Sequence, residues 1–247
     1  MRQTLKVFSI GMHVVMRDAI MLFLIPAPFL VGITFYYLLP WLNQLLLERF
    51  SFSFEEWYPL ADGLMIILTP TLLTMSSAFL LLEECDEGLG SYYQITPAKQ
   101  FHYLMARIGL PALWGFLCAL GIASWFGLSQ LSFSVIIACS FLAVLFGSSV
   151  AIMIVALASN RVEGLAISKL TGITMLGMFI AGFVSDSWRW LAGILPSFWL
   201  GELILEKALW LGELILEKAL WFNLLLGTAS SLIWIILFTR KFIKKIR

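Results

Sequence analysis

Charge is scarce in this 247-residue chain: Asp, Glu, Lys and Arg together make up 13% of it, against roughly 25% in soluble domains. With 61% hydrophobic residues and a mean hydropathy of +0.94, the chain has too few polar groups to coat a water-facing surface, so it is a membrane protein. Histidine is limited to His13 and His102, and cysteine to Cys85, Cys118 and Cys139. That inventory excludes a disulfide framework and any Cys/His metal spacing. The dipeptide Gly-Lys never occurs, so there is no P-loop, and neither His-Glu-x-x-His nor Gly-x-Ser-x-Gly is present. The chain is therefore expected to be no enzyme and to hold no cofactor or metal of its own. No nucleic-acid partner is expected.

What the sequence has instead is apolar runs, and crossing a hydrocarbon core of about 30 Å takes roughly 20 such residues. Six runs qualify: Ala19 to Leu39, Asp62 to Leu82, Ile108 to Leu128, Phe133 to Ala158, Leu165 to Val184, and Phe222 to Thr239. The reading is all-α, one transmembrane domain over 1–247. Basic residues orient it. With an even number of spans both termini share a side, and that side collects Arg2, Lys6, Arg17, Lys99, Arg107, Arg161, Arg240, Lys241, Lys244, Lys245 and Arg247. The other side has only Arg49, Arg189, Lys207 and Lys218. The excess places both termini in the cytoplasm. Residues 1–18 mix charges with Leu5, Val7, Phe8, Ile10, Val14 and Val15, and no small-residue cleavage site follows. They read as an amphipathic helix on the inner membrane surface.

Ionisable residues inside spans usually mark ion or proton pathways, and here only Asp62 and Lys169 qualify, both near predicted span ends. They read as boundary residues, which disfavours a proton-coupled carrier. The second span carries "LTPTLLTMSS", in which Thr69, Thr71 and Thr74 surround Pro70; this predicts a kinked, partly polar helix. The fifth span has Thr171, Gly172, Thr174, Gly177, Ala181 and Gly182, small residues that allow close helix packing.

The segment between spans two and three, "LLEECDEGLGSYYQITPAKQFHYLMARI", puts Glu83, Glu84, Asp86 and Glu87 within one turn and a half, then Gly88, then an amphipathic stretch to Thr96-Pro97. The acids are expected to keep the helix end in water. A divalent cation is not expected there, because no further spaced oxygen ligands accompany them. Between spans four and five lies "SNRVEGLAISKL".

Both loops resemble those of ABC transporter permeases of the ABC-2 type, closest to the small six-span bacterial branch of drug and antibiotic-peptide exporters. The first is matched at Glu84, Asp86, Glu87, Gly88, Thr96, Pro97, Tyr103 and Arg107. In the second, Asn160, Val162, Glu163 and Gly164 are similar to that branch's Asn-x-Val-Glu-Gly signature. Gly90-Ser91 departs from the relatives' better helix formers, which implies a looser start to the segment. The resemblance implies that residues 83–107 form a cytoplasmic coupling loop whose helix docks on a separate ATP-binding subunit, present in two copies and carrying ATP and Mg. Glu83, Glu84, Asp86 and Glu87 would face basic residues of that subunit, with Tyr92, Tyr93 and Ile95 as apolar anchors. The amino-terminal surface helix would assist docking. Two permease chains, identical or different, would pair in the bacterial cell membrane around a path lined by spans one, two and five. Thr69, Pro70, Thr71, Thr74, Thr171 and Thr174 are its candidate lining.

After the fifth span, residues 185–221 begin with "SDSWRWLAGILPSFW", where interfacial tryptophans precede breaks at Gly193 and Pro196. This resembles the family's external re-entrant segment. Then eleven residues, Trp199 to Leu209, recur unchanged as Trp210 to Leu220. Six charges in these copies, at about 2.5 to 3.5 kcal/mol each near a bilayer centre, oppose insertion, so the stretch is not a seventh span. Eleven residues make almost three helical turns, about 3.67 residues per turn, so an inserted copy is expected to lengthen one amphipathic outer helix with its faces nearly in register. The expected function is the permease subunit of an ATP-driven exporter of an amphipathic drug or antimicrobial peptide. The rivals are a lipid or polysaccharide exporter and a non-transporting immunity or assembly protein.

Overall fold

A computed structural model describes residues 9, 11, 13, 16–87, 105–208 and 213–246; at 20, 206–208, 213–219, 245 and 246 it describes the backbone alone. Among these residues there is no strand, and six helical segments are long and apolar enough to cross a membrane. In chain order the helices are α1 (Ala19–Leu24), α2 (Ala27–Phe50), α3 (Tyr58–Asp86), α4 (Leu110–Phe126), α5 (Phe133–Leu157), α6 (Arg161–Ser168), α7 (Leu170–Phe183), α8 (Pro196–Ala208) and α9 (Glu213–Ile246). A 3-10 turn, Glu55–Trp57, precedes α3, a π-helical turn, Met105–Gly109, leads into α4, and a longer 3-10 stretch, Ser187–Ile194, precedes α8.

The first span starts later than the apolar run suggested. Asp18 caps α1 by accepting from Met21 N at 2.9 Å, and α1 stops after Leu24. Pro26 lacks the N–H a continuing helix needs, but such a residue suits a helix start. The crossing helix is therefore α2, and α1 is a short separate turn. Of the predicted amino-terminal surface helix, Ser9, Gly11 and His13 are helical; the rest of 1–15 lies outside the described residues.

α3 and α5 are the most buried spans, α2 and α9 the most exposed to the apolar surroundings. Small residues explain the tight centre. A Cβ at Gly115 of α4 would stand 2.8 Å from Pro70 Cα, and one at Gly147 of α5 would stand 3.0 Å from Thr71 Cα, so α3 is gripped on two sides at Pro70. Pro70 leaves the Ile66 carbonyl without its usual donor. On either side of that carbonyl, Thr69 Oγ1 donates to Met65 O at 2.8 Å and Thr71 Oγ1 to Ile67 O at 2.6 Å.

At the end of the bundle away from the acids, buried polar side chains tie down the connections. Asn43 accepts from Phe54 N at 2.6 Å and donates to Glu55 at 3.2 Å. Asp62 is buried and accepts from Leu128 N at 2.9 Å, from Ser129 N at 2.8 Å and from the Ser129 hydroxyl. Asp62 is thus a boundary residue, and its charge holds the α4–α5 loop.

The stretch after α7 folds back into the bundle. Ser187–Ile194 descends to mid-bundle, where Ile194 O accepts from Ser230 Oγ at 3.1 Å and Trp234 Nε1 at 3.0 Å. Ser197 Oγ donates to Thr174 O at 2.5 Å, and α8 then climbs back beside α7, with Leu205 reaching Gly182. Glu202, in the first copy of the repeat, is buried in α8 with Arg189 at 3.5 Å. α8 is not a span, and the count stays at six among the described residues.

The repeat itself departs from the single lengthened helix. Trp199 meets Phe222 and Gly227 while Ile194 meets Ser230 and Trp234, so α8 and α9 are antiparallel neighbours. The first copy belongs to α8 and the second reaches into α9. In the first copy Leu200, Leu203 and Ile204 are buried in the core.

These contacts set an order for two glycine substitutions. Gly147→Ala pushes against α3 backbone and is expected to destabilise by about 1–3 kcal/mol. Gly121→Ala meets nothing within 4 Å and is expected to be neutral or to gain up to about 1 kcal/mol of helix propensity. Thermal unfolding of the two variants in detergent reads the difference.

Candidate functional site

α3 extends past its apolar body, and its last turn carries the acids. Helical geometry sends neighbouring residues to different faces, so the four do not act alike. Glu84 turns inward and is buried; its carboxylate holds Arg107 through Nη2 and, at 3.1 Å, through Nε. Arg107 is only 2% exposed and sits in the π-helical turn at the far end of the segment that follows α3. One ion pair thus ties the two ends of the 88–104 segment together. Gly11 of the amino-terminal stretch lies against the same guanidinium, where a Cβ would fall 1.7 Å from Nη1.

Glu83 and Asp86 face the other way, toward Arg161 at the start of α6. Arg161 Nη1 lies 3.5 Å from Glu83 Oε2, its Nη2 lies 2.5 Å from Asp18 Oδ2, and its backbone N donates to Asp86 Oδ2 at 3.1 Å. Several of the "SNRVEG" letters around it have a local cause. Asn160 accepts from Glu163 N at 2.8 Å and Glu163 accepts from Ser159 N at 2.6 Å, a reciprocal cap that starts α6. Gly164 lets α6 reach α3, because a Cβ there would stand 2.4 Å from Leu82 Cδ1. Val162 has no such role and is 78% exposed at this end.

Glu84 is therefore not the solvated acid the sequence suggested. A full negative charge that close to the apolar body needs a counter-charge, and Arg107 supplies one that a loop reading had counted as free. Glu87, beyond the last turn, is exposed. Gly88, Tyr92, Tyr93, Ile95, Thr96, Pro97 and Tyr103 lie outside the described residues.

The candidate path residues are all buried. Thr74 Oγ1 donates to Pro70 O at 2.8 Å, Thr174 Oγ1 to Thr171 O at 2.8 Å, and Thr69 and Thr71 to their own helix as above. Thr171 is buried beside them on α7. None of these residues lines the cavity at the other end of the bundle. That cavity, of about 450 Å³, lies between α2, α3 and α7 and is walled by Phe35, Leu39, Phe52, Phe54, Trp57, Leu60, Ala61, Leu64, Phe179 and Phe183. Trp57 and Phe183 stack with ring centroids 4.6 Å apart and planes at 18°, and Phe179 stacks on Phe183 at 6.5 Å. It is bordered by the first, second and fifth spans, and its aromatic lining was not anticipated. Aromatics spread over three spans and a loop give no local pattern in sequence.

Six helices long and apolar enough to cross a membrane, braced at one end by ion pairs, describe a multi-pass membrane protein, and the family it matches is one of ABC-2 type permeases. The chain belongs to the family described as fluoroquinolones export permease protein Rv2686c-like, whose family model matches residues 12–239. It is similar to the fluoroquinolones export permease proteins Rv2686c of Mycobacterium tuberculosis (strain ATCC 25618 / H37Rv) and MT2760 of Mycobacterium tuberculosis (strain CDC 1551 / Oshkosh). Each is 25% identical over 189 residues, covering 75% of this chain and 75% of the relative. No solved structure matches it.

Removing one member of the buried pair leaves the other charge alone, at a typical cost of about 3–5 kcal/mol. Arg107→Met is accordingly expected to lower the unfolding midpoint sharply, and Arg107→Met with Glu84→Leu to recover most of the loss. Thermal unfolding of the single and double variants checks this.

Proposed function

We propose that this chain is the membrane subunit of an ATP-driven exporter of planar, largely apolar aromatic drugs. It pairs with a second permease chain, identical or different, and docks on two copies of a separate ATP-binding subunit that carry ATP and Mg. Both termini and the Glu83–Glu87 end face the cytoplasm, in keeping with the basic residues collected there. Docking falls to the 88–104 segment, with Tyr92, Tyr93, Ile95, Thr96 and Pro97, and to exposed Glu87. Glu83, Glu84 and Asp86 brace the frame behind it.

The observation that carries the drug reading is the aromatic cavity. Its volume of about 450 Å³ is that of a site for one small molecule. Stacked rings such as Trp57 and Phe183 offer flat faces to a flat guest. A polysaccharide strand would need hydrogen-bonding walls, and an antimicrobial peptide a larger opening. The relatives' names, which specify fluoroquinolones, point to the same chemical class.

Cells lacking their own efflux pumps, expressing the chain together with its ATP-binding subunit, are expected to accumulate less fluoroquinolone than cells carrying the ATP-binding subunit alone. Equal accumulation would refute the reading. In the same cells Trp57→Ala and Phe183→Ala are each expected to weaken drug recognition by about tenfold, read as the drug concentration for half-maximal efflux.

A further inference from the structure

We propose that Arg161 is a positioning residue for export, the link through which the acidic end of α3 sets the opening of the aromatic cavity at the opposite end of the bundle. The proposal rests on the exporter reading for its functional meaning, and on geometry alone for the mechanical link.

Two spans border the cavity across from each other. α3 contributes Leu60, Ala61 and Leu64, with Trp57 just ahead of it, and α7 contributes Phe179 and Phe183. From mid-bundle toward the cavity, α8 packs against both. Leu200 and Ile204 pack at Gly63 of α3, and Ser197 and Leu205 pack at Gly177 and Gly182 of α7. α3 and the α6–α7 span meet directly at their two ends. At the cavity the contacts are the Trp57–Phe183 stack, Leu60 at Gly182 and, one turn further in, Met178 at Gly63. At the acidic end it is Gly164 against Leu82, and Arg161 with Glu83 and Asp86.

Arg161 therefore pins one end of a lever. The helical span Arg161–Phe183 is about 33 Å long at 1.5 Å per residue, so each degree of tilt about Arg161 moves Phe183 by about 0.6 Å. A few degrees would separate or close the stacked rings. Arg161 also takes Asp18, the cap of α1, so the amino-terminal turn joins the same node.

Its partial exposure suits a link that has to break and reform. The Arg161, Asp18 and Glu83 side chains are 24%, 22% and 30% exposed. Ion pairs in such surroundings contribute little individually, which lets a moving coupling segment rearrange them. The Glu84–Arg107 pair is buried and cannot be remade so cheaply. One arginine holds, and the other transmits.

The test uses the full chain in lipid nanodiscs, with Cys85, Cys118 and Cys139 replaced by Ala and nitroxide labels at Glu56→Cys and Asp186→Cys, both exposed and flanking the cavity. Electron–electron distance measurement is expected to give a shifted or broadened distribution in Arg161→Gln. Arg161→Lys should return toward the parent distribution, and Arg17→Gln should leave it unchanged. Should Arg161→Gln not fold, Asp18→Ala with Glu83→Ala removes both carboxylates that Arg161 holds without altering α6 and is expected to give the same displacement. A parent-like distribution in either folded variant overturns the proposal. With the ATP-binding subunit present, drug exported per ATP hydrolysed is expected to fall about threefold or more in Arg161→Gln. An unchanged ratio also overturns it, whereas a parent chain that exports no drug refutes the exporter reading and leaves the distance result to judge the link.

Discussion

A carboxylate at the edge of a membrane-spanning helix has two ways to avoid an unfavourable burial: it reaches water, or it finds a cation. Glu84 takes the second, and the layout of one end of this permease follows from it. The pair with Arg107 ties the end of α3 to the turn that leads into α4. Gly11 is a glycine because the guanidinium occupies the space a side chain would need. Arg161 repeats the solution on the opposite face of α3 with less burial, and joins α1 and α6 to the same helix end.

The centre and the far end obey a different constraint. Here helices approach through glycine and proline, and the threonines of α3, with Asp62 and Asn43, are satisfied locally. Gly115 and Gly147 receive α3 at Pro70, the threonines of α3 bond to their own backbone, and Asp62 and Asn43 hold the connecting loops. With polar groups so occupied, what remains to face the cavity is aromatic. An apolar cavity offers little orientation by hydrogen bonds, so selectivity there rests on shape and stacking.

Much of this was legible in the sequence. Hydropathy alone gives six spans, and the breaks at Gly193 and Pro196 announce the dip after α7. The loop letters carry the family, which the match over residues 12–239 establishes. Other features were hidden for physical reasons. The start of the first span depends on a missing N–H at Pro26 within an unbroken apolar run, which hydropathy cannot register. Charges flanking spans look solvated in sequence, so the pairing of Glu84 with Arg107, and of Arg161 with Asp18 and Glu83, emerges only in three dimensions. The duplicated eleven residues have a helical repeat in either copy. Whether they form one helix or two neighbours is decided by what surrounds them, and α8 is held in the core beside α7.

The proposed drug site is the aromatic cavity at the end of the bundle opposite the braced acids. A cryo-electron microscopy map of the permease with a fluoroquinolone bound tests it most directly. The account predicts density for the planar ring system against Trp57 and Phe183, between α2, α3 and α7. Drug density elsewhere in the permease, with that cavity empty or filled by lipid, would contradict it.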